Sequence, residues 1–175
     1  MPWANGLGIS ADVFLWPPDT ADWTWRLSLA VVPGDVPFSV MPGIDRHIVV
    51  AQGVGMALTV DGGAEHRMDR SSPPFSFDGE SATTCRLLDG PVADLNLMVR
   101  RDSAVGSIRT IRLRAGLEVA PAGDDVALIV LEGIVVGFDA QLNVFDAVLF
   151  DSSSTLANIA TDSDATVAMI SISVD

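Results

Sequence analysis

The sequence contains no lysine and no tyrosine, and these two absences exclude several classes of chemistry. All ten basic residues are arginine. Without lysine the chain cannot form a Schiff base with a carbonyl substrate or build the lysine-containing phosphate loop of nucleotide-binding proteins. Without tyrosine it has no phenolic group for proton transfer. Arginine remains, and its planar guanidinium binds a carboxylate in a two-pronged geometry that a point charge cannot reproduce.

Cysteine and histidine are also scarce. Cys85 is the single cysteine, so no disulfide can form within the chain, which is typical of a protein in the reducing cytoplasm. We expect Cys85 to be a small buried hydrophobic residue rather than a reactive thiol. His47 and His66 cannot provide a three-histidine metal site. A site made of both histidines with Glu65 or Glu80 stays open by count, but we predict no metal and no cofactor.

Positive charge is low, and long apolar runs are missing. The chain carries 23 acidic residues and a formal net charge of −13, so it repels phosphate backbones and we expect no nucleic-acid partner. No hydrophobic run reaches the roughly 20 residues that cross a bilayer, and the first residues lack the basic and apolar regions of an export signal. We therefore expect a cytoplasmic protein without membrane association. Because 49% of its residues are hydrophobic, it should fold around a sizeable core.

Short β-like runs recur between turn residues along the whole chain, while helical periodicity is weak. Asp61-Gly62-Gly63 is typical of a tight hairpin turn. Many short strands separated by turns indicate a sandwich or a barrel. The predicted strands are residues 25–32, 47–51, 55–60, 64–68, 85–88, 92–100, 107–114, 127–131, 134–138, 147–150 and 166–174.

A weak internal repeat suggests that the chain has two related halves. Residues 48–53 (IVVAQG) and 128–133 (LIVLEG) both consist of an apolar run that ends in a polar residue and a glycine. Such a pattern also recurs by chance in β proteins, so both interpretations stay open. We predict a single domain, residues 1–175, with an N-terminal half of about 1–104 and a C-terminal half of about 105–175.

The most informative segment is residues 90–101 (GPVADLNLMVRR). Because side chains alternate faces along a strand, Asp94, Asn96 and Arg100 share one face. On the strand predicted at residues 25–32, Arg26 and Ser28 also share a face. Such groups could line a polar pocket for a small carboxylated molecule. They could equally form a solvated face, or structural pairs such as Arg26 with Asp94 and Arg46 with Asp45.

Several motifs, in this order, resemble the HutD/Ves family of proteins. They are residues 3–8 (WANGLG), 23–30 (WTWRLSLA), 37–39 (PFS), 42–46 (PGIDR), 75–80 (FSFDGE) and 90–101. The resemblance is dense from Trp3 to Arg101, and beyond it only the β pattern continues. Ala4 and Leu7 depart from the lysine and glycine of the family's opening motif, which puts the ligand specificity of the family in doubt here.

The resemblance implies an all-β, cupin-type fold, an RmlC-like jelly roll with two barrel-like halves in one chain (a bicupin). Members of the family are associated with bacterial histidine utilisation, with a suspected role in sensing a ligand or modulating the pathway. No established reaction comes with the family. Ser39 and Asp78 lie in the matching motifs and therefore join the candidate residues.

We predict a binding protein for a small carboxylated metabolite of amino-acid catabolism, and we lean away from an enzyme. One alternative is a metal-independent isomerase or lyase in which Asp94 or Asp78 is the general base and an arginine stabilises the enolate. Another is a structural module that forms a homodimer through strand edges. The candidate ligand-binding residues are Arg26, Ser28, Ser39, Arg46, Asp78, Asp94, Asn96 and Arg100.

Overall fold

The computed structural model describes residues 6–115, 125–150 and 158–174, and its regular elements are all β-strands. Residues 3–5 of the first family motif lie outside the described residues. None of the described residues belongs to a helix that could cross a bilayer. The all-β prediction is confirmed. The strands are β1 (Ile9–Trp16), β2 (Trp25–Val32), β3 (Val36–Pro37), β4 (Ile44–Gln52), β5 (Met56–Val60), β6 (His66–Met68), β7 (Phe75–Asp78), β8 (Thr83–Leu87), β9 (Val92–Arg100), β10 (Ala104–Leu113), β11 (Asp125–Glu132), β12 (Val135–Gly137), β13 (Ala140–Leu142), β14 (Ala147–Leu149) and β15 (Ala165–Val174).

The chain forms two compact units: the first comprises the described residues up to Gly106 together with Val174, and the second lies within Ser107–Ser173. The first unit contains two sheets. One sheet has five strands in the order β1-β2-β9-β4-β7, and the other has four in the order β3-β8-β5-β6. All strand pairs with a described register in these two sheets are antiparallel. The unit is therefore a two-sheet sandwich or flattened barrel, in which each sheet offers one face to a shared core.

The core of the first unit takes apolar side chains from both sheets. Ile48 and Val50 of β4 and Val92 of β9 come from the five-stranded sheet, and Met56 and Leu58 of β5 come from the other. Each of these side chains is at most 2% exposed. At roughly 2 kcal/mol for each large apolar side chain removed from water, this cluster provides the main force that holds the sheets together. Polar side chains on the same face of the five-stranded sheet therefore lie next to a dry core.

The second unit has a four-stranded sheet in the order β10-β15-β11-β14 and a two-stranded sheet, β12-β13. Its core is apolar as well, with Leu128 and Val130 of β11 packed with Val167 and Met169 of β15. All four side chains are fully buried. Alternate residues of each strand face this core, as the period of a half-buried strand requires.

The hairpin turn predicted at Asp61-Gly62-Gly63 connects β5 to β6. Asp61 and Gly62 have φ angles of 50° and 68°, which is the left-handed pair of a type I′ turn. The backbone N–H of Gly63 donates to the carbonyl oxygen of Val60 at 2.9 Å and closes the turn. The Asp61 carboxylate also accepts a hydrogen bond from the backbone N–H of Ala82 at 2.8 Å, which ties the turn to the residues just before β8.

Candidate functional site

The strand register brings most of the candidate residues to one face of the five-stranded sheet. Arg26 of β2 and Arg46 of β4 both pair with Met98 of β9, one from each side. Their Cα atoms are therefore about 10 Å apart, two strand spacings. One step further along this face, Ser28 of β2 lies opposite Asn96 of β9.

Asp94 lies one step deeper than Asn96, between Ala30 of β2 and Val50 of β4. Because same-face residues repeat about every 7 Å along a strand, Asp94 lies about 13 Å from the level of the two arginines. We call Arg26, Ser28, Arg46, Asp94 and Asn96 the polar face. Its members come from three adjacent strands. They lie on the same face of the sheet as Ile48 and Val50, whose side chains belong to the core.

The polar face is buried. Arg46 is 6% exposed, Asn96 4%, and Ser28 and Asp94 1% each. Among the described residues, the buried side-chain atoms without a hydrogen-bond partner are Arg46 Nε, Asp94 Oδ1, Asn96 Oδ1 and Ser39 Oγ. Unsatisfied buried polar atoms are rare in folded proteins, and each costs on the order of 1–3 kcal/mol. All four belong to residues that the sequence singles out as candidates for ligand binding.

Arg46 is held by aromatic rings. The carbon of its guanidinium lies 5.0 Å from the ring centre of Phe38 and 5.1 Å from that of Phe77. Burial lowers the pKa of Arg46 to about 10, Asp94 partly opposes this effect, and the charge of Arg26 adds to it. Arg46 is still a cation at neutral pH. A guanidinium that is oriented by two rings and has an unpartnered Nε is a preorganised donor for an anion.

Asp94 is the deepest charged group of the polar face. Burial raises its pKa to about 7, and the positive charge of Arg46 only partly opposes that rise. Both members of this pair are therefore shifted away from their charged forms, because desolvation outweighs their mutual attraction. A carboxyl group with a pKa near 7 can accept or release a proton under physiological conditions.

Arg26 forms an ion pair with β1. Its Nε and Nη2 both lie 2.6 Å from Oδ1 of Asp12. A bulge in β1 between Asp12 and Phe14 places this carboxylate beside Ser28, on the polar face. The sequence allows an ion pair between Arg26 and Asp94, but in the structure Arg26 forms its ion pair with Asp12. The charge of Arg26 is largely balanced, in contrast to that of Arg46.

Arg100 lies on the polar-face side of β9, one same-face position beyond Met98 and opposite Ile44, but its side chain binds other groups at the end of the strand, and Asp78 lies on the opposite face. Arg100 donates from Nε to the carbonyl oxygen of Trp23 at 2.6 Å, and its Nη2 lies 2.8 Å from Asp22. Asp78 is exposed and pairs with Asp45 across β4 and β7. Since Arg46 and Phe77 occupy the next positions of these strands, Asp78 points to the opposite face. The structure therefore gathers Arg26, Ser28, Arg46, Asp94 and Asn96, leaves Arg100 at the end of the same face with its side chain bound to Trp23 and Asp22, and places Asp78 on the opposite face. Ser39 follows Phe38, and its hydroxyl is buried.

Arg101 pairs with three acidic side chains at the rim near Arg46. Its guanidinium lies 2.7 Å from Asp45, 3.2 Å from Asp78 and 2.8 Å from Glu80. The alternative pair of Arg46 with Asp45 is therefore replaced by Arg101 with Asp45. A pocket of about 230 Å³ opens beside this cluster on the outer face of the sheet, where Asp45, His47, Ser76 and Asp78 line it. Arg46 and Phe77 also contribute to its wall, but they occupy the alternate positions of their strands, which face the core.

The histidines have separate surroundings. His47 Nδ1 lies 2.7 Å from the hydroxyl of Ser76, and burial lowers the pKa of His47 while Asp45 partly opposes this. His66 stacks on Phe75, with ring centres 4.2 Å apart. Within the described ranges, no three histidine, cysteine or acidic side chains lie close enough to hold a metal ion. The two histidine side chains are therefore engaged by different partners, His47 by a hydrogen bond and His66 by ring stacking.

Sequence reasoning missed three residues that shape the polar face. Phe38 and Phe77 hold Arg46, and Asp12 holds Arg26. Phe38 and Phe77 lie in motifs quoted for the resemblance, and alternation in residues 75–78 would have put Phe77 on an inward face. No motif or strand alternation pointed to Asp12, because the sequence did not predict a strand at residues 9–16.

Comparisons with known proteins agree with the sequence resemblance. The family model HutD matches residues 1–169. Over 108 residues the chain is 35% identical to Protein Ves of Citrobacter koseri, covering 61% of this chain and 56% of that protein. Over 99 residues it is 38% identical to an uncharacterised 21.2 kDa protein in the hutC 3′ region of Pseudomonas putida, covering 56% of this chain and 52% of that protein. The matches thus span little more than half the length of these two relatives.

Solved structures show the same fold. A conserved protein of unknown function from Pseudomonas aeruginosa PAO1 has a TM-score of 0.83 at 28% identity, covering 98% of this chain and 92% of that one. HutD from Pseudomonas fluorescens SBW25 has a TM-score of 0.76 at 26% identity, covering 100% and 93%. A cupin 2 conserved barrel domain protein from Leptotrichia buccalis has a TM-score of 0.61 at 10% identity, covering 95% and 89%. The last likeness concerns the fold alone and makes it cupin-like.

Proposed function

The chain belongs to the HutD family, and from this premise we propose that it binds a small carboxylated metabolite at Arg46 and thereby senses or modulates amino-acid catabolism, in particular that of histidine. The observation that carries the proposal is the set of unpartnered buried atoms on the polar face, Arg46 Nε above all. Such unsatisfied groups lower the stability of the folded state, and in native proteins they occur mainly at functional sites.

The chemistry of the site favours a carboxylate. Arg46 is a cation with a preoriented fork of N–H donors, and Ser28 and Asn96 add neutral polar groups at the next level of the sheet. Arg101 pairs with Asp45, Asp78 and Glu80 and offsets part of their negative charge, which reduces the repulsion between this rim and an anion near Arg46. The Pseudomonas fluorescens HutD structure is described as a formate condition, and formate is the smallest carboxylate.

The pathway assignment rests on the relatives. One of them is encoded in the hutC 3′ region and another is HutD itself. We propose the same association for this chain, and with it a cytoplasmic location and no nucleic-acid or membrane partner. The single cysteine is buried and free, as expected in a reducing compartment.

A direct binding measurement tests the proposal. Thermal shift and NMR titration with formate, with mono- and dicarboxylates, and with the carboxylate intermediates of histidine breakdown should show saturable binding. The corresponding amides should not bind, because they lack the negative charge. Arg46→Lys should weaken binding at least tenfold, since lysine has no fork of donors. The matched control is Arg67→Lys, on an exposed residue that pairs with Glu65. If no carboxylate binds to the folded protein, the proposal is wrong.

A second candidate function is a metal-independent isomerase or lyase. It is favoured by Asp94, whose pKa of about 7 suits a general base. In that case turnover of a carboxylated substrate should survive chelators and should be lost in Asp94→Asn. If a broad panel of carboxylates binds but none is converted, the result would support the binding function and contradict the isomerase or lyase activity.

We also propose that the two units are repeats of one cupin-like half, a bicupin. The register of β4 with β9 shifts between Val50 and Gln52, and that of β11 with β15 shifts between Val130 and Glu132, at positions 80 residues apart. Gly53 and Gly133 follow these bulges, both with positive φ. An experimental structure in which the paired strands superimpose with their bulges aligned would support the repeat, and displaced bulges would contradict it.

The repeat would explain why the described residues of the second unit have no polar face at the positions that match the one in the first unit. By the same pairing, Asp94 corresponds to Val167 and Asn96 to Met169. Both counterparts are fully buried apolar side chains. We therefore propose that the described part of the second unit serves packing and that the ligand site lies in the first.

Homodimer formation through strand edges stays a prediction. The edge strand β1 ends at the exposed Trp16 and begins at the exposed Ile9, which pairs with the exposed Val31. Size-exclusion chromatography with light scattering tests it on the wild type, with Ile9→Asn as the variant that should shift a dimer towards monomer.

A further inference from the structure

We propose that carboxylate binding at Arg46 is coupled to the uptake of one proton by Asp94. This inference rests on the proposed function and deepens it, because it states in which protonation state the site accepts its anion. The structural relationship behind it is the position of both residues on one buried face, with Arg46 beside Met98 and Asp94 two same-face positions further along the sheet.

Arg46 is the charge that favours the ionised form of Asp94. A carboxylate bound at Arg46 neutralises that charge and adds a second anion to the same buried face. Repulsion between two carboxylates on one weakly solvated face is poorly screened, so the ionised form of Asp94 becomes less favourable when the ligand binds. The bound ligand keeps its charge because it contacts the guanidinium, so Asp94 is the group that takes the proton from solvent.

The other groups near Asp94 are not expected to take up the proton. From β2, the charge of Arg26 is balanced by Asp12 of β1. From β8, Cys85 has a pKa that burial raises to about 12, with Asp94 also contributing, so it stays a neutral thiol. From β5, Met56 and Leu58 are apolar.

Protonation of Asp94 also adds a hydrogen-bond donor to the polar face, where acceptors lack partners. Asp94 Oδ1 and Asn96 Oδ1 are both acceptors without a partner. When Asp94 is protonated, its O–H becomes a donor on a face that otherwise presents acceptors at this depth. A ligand that reaches inward from Arg46 then meets a neutral donor in place of a negative charge.

The experiment is a titration of the full-length wild type with ¹³C-formate from pH 6 to pH 9, at constant ionic strength with chloride. Formate is fully ionised throughout, so any change in affinity reports on the protein. We expect a constant affinity below about pH 7 and a loss of up to about tenfold per pH unit above it. In Asp94→Asn the affinity should be independent of pH. Asp89→Asn, the same change at an exposed turn residue of the same unit, should keep the wild-type profile.

A second measurement needs no variant. In weakly buffered wild-type protein at pH 7.5, addition of formate at the same pH should raise the pH, with up to one proton taken up per site. If formate binds with the same affinity from pH 6 to pH 9 and takes up no proton, the coupling is wrong while the binding function stands. If neither formate nor any larger carboxylate binds to the folded protein at any pH, both the coupling and the proposed function are wrong.

Discussion

Arg46 and Asp94 carry opposite charges on one buried face of the five-stranded sheet, and the pKa of each is shifted away from its charged form. The attraction between them is real, since each partly offsets the shift of the other. It does not compensate for the loss of hydration, which is usual for buried charges without a full set of hydrogen bonds. The pair therefore costs the folded state free energy, and its retention is a reason to place the site of function here.

The first prediction concerns the stability of Asp94→Asn as a function of pH. A folded pKa of about 7 against an ordinary value of 3.8 means that the native state binds a proton that the unfolded state has released. The wild type therefore loses stability as the pH rises from about 4 to about 7, and the loss is complete above pH 7. Asparagine mimics the protonated form, so the variant does not have this loss.

We expect the stability difference between Asp94→Asn and the wild type to shift by about 2 kcal/mol in favour of the variant between pH 5.5 and pH 8. Urea unfolding at both pH values measures it, and pH 5.5 stays clear of the isoelectric point near 4.2. Asp89→Asn should show no such shift. An equal difference at the two pH values would mean that Asp94 is not the buried acid described above.

The second prediction concerns the rings that hold Arg46. Phe77→Leu keeps an apolar side chain but removes one of the two ring faces, whose centre lies 5.1 Å from the guanidinium. A buried cation–π contact contributes on the order of 1–2 kcal/mol. We expect the affinity for formate to fall several-fold, because Arg46 is less well oriented. NMR titration provides the measurement.

Phe75→Leu is the matched control for this effect. Phe75 lies on the same strand, where it stacks on His66 at 4.2 Å and on Phe77 at 5.9 Å, and the rings that lie over the Arg46 guanidinium are those of Phe38 and Phe77. Loss of core packing should be similar in the two variants, so both should be destabilised to a comparable degree. If Phe75→Leu weakens formate binding as much as Phe77→Leu does, the rings act through general packing and not through Arg46.

The sequence predicted those parts of the fold and site that depend on local pattern. The bounds of β2 and β9 match the predicted residues 25–32 and 92–100, because these strands alternate clearly and end at turn residues. The same alternation placed Asp94 with Asn96 on one face of β9, and Arg26 with Ser28 on one face of β2.

What the sequence did not predict depends on tertiary contacts. β1, β3, β7 and β13 were not predicted, since they are short, edge-positioned or weakly patterned. Alternation correctly put Arg100 on the face of Asn96, but no local pattern indicated that the Trp23 carbonyl oxygen and Asp22 bind its side chain. The register that puts Arg46 across from Arg26 is a property of three strands together, and no single segment contains it.

The third prediction concerns Gly53, which ends the first of the two similar segments. A Cβ atom at this position would lie 2.7 Å from the carbonyl oxygen of Pro91, and the residue has a φ of 99°. Gly53→Ala therefore combines a backbone clash with a strained conformation, and we expect a loss of more than about 2 kcal/mol. Gly34→Ala, where nothing lies within 4 Å, should change stability by less than about 0.5 kcal/mol. Urea unfolding of both variants measures the difference, and equal losses would contradict this account of Gly53.

The fourth prediction concerns the reactivity of Cys85. Its side chain is 3% exposed, and its thiol lies 3.7 Å from the sulfur of Met56. Burial raises the pKa of the thiol to about 12, so about one molecule in 10⁴ carries a thiolate at pH 8. Because the thiolate is the nucleophile, a disulfide reagent should label the native protein far more slowly than a free thiol, and the rate should increase with urea in step with unfolding. Cys85→Ser provides the unlabelled baseline. Rapid labelling of the native protein would show that this part of the first unit opens readily, and the dry core that raises the pKa of Asp94 could then not be as closed as described.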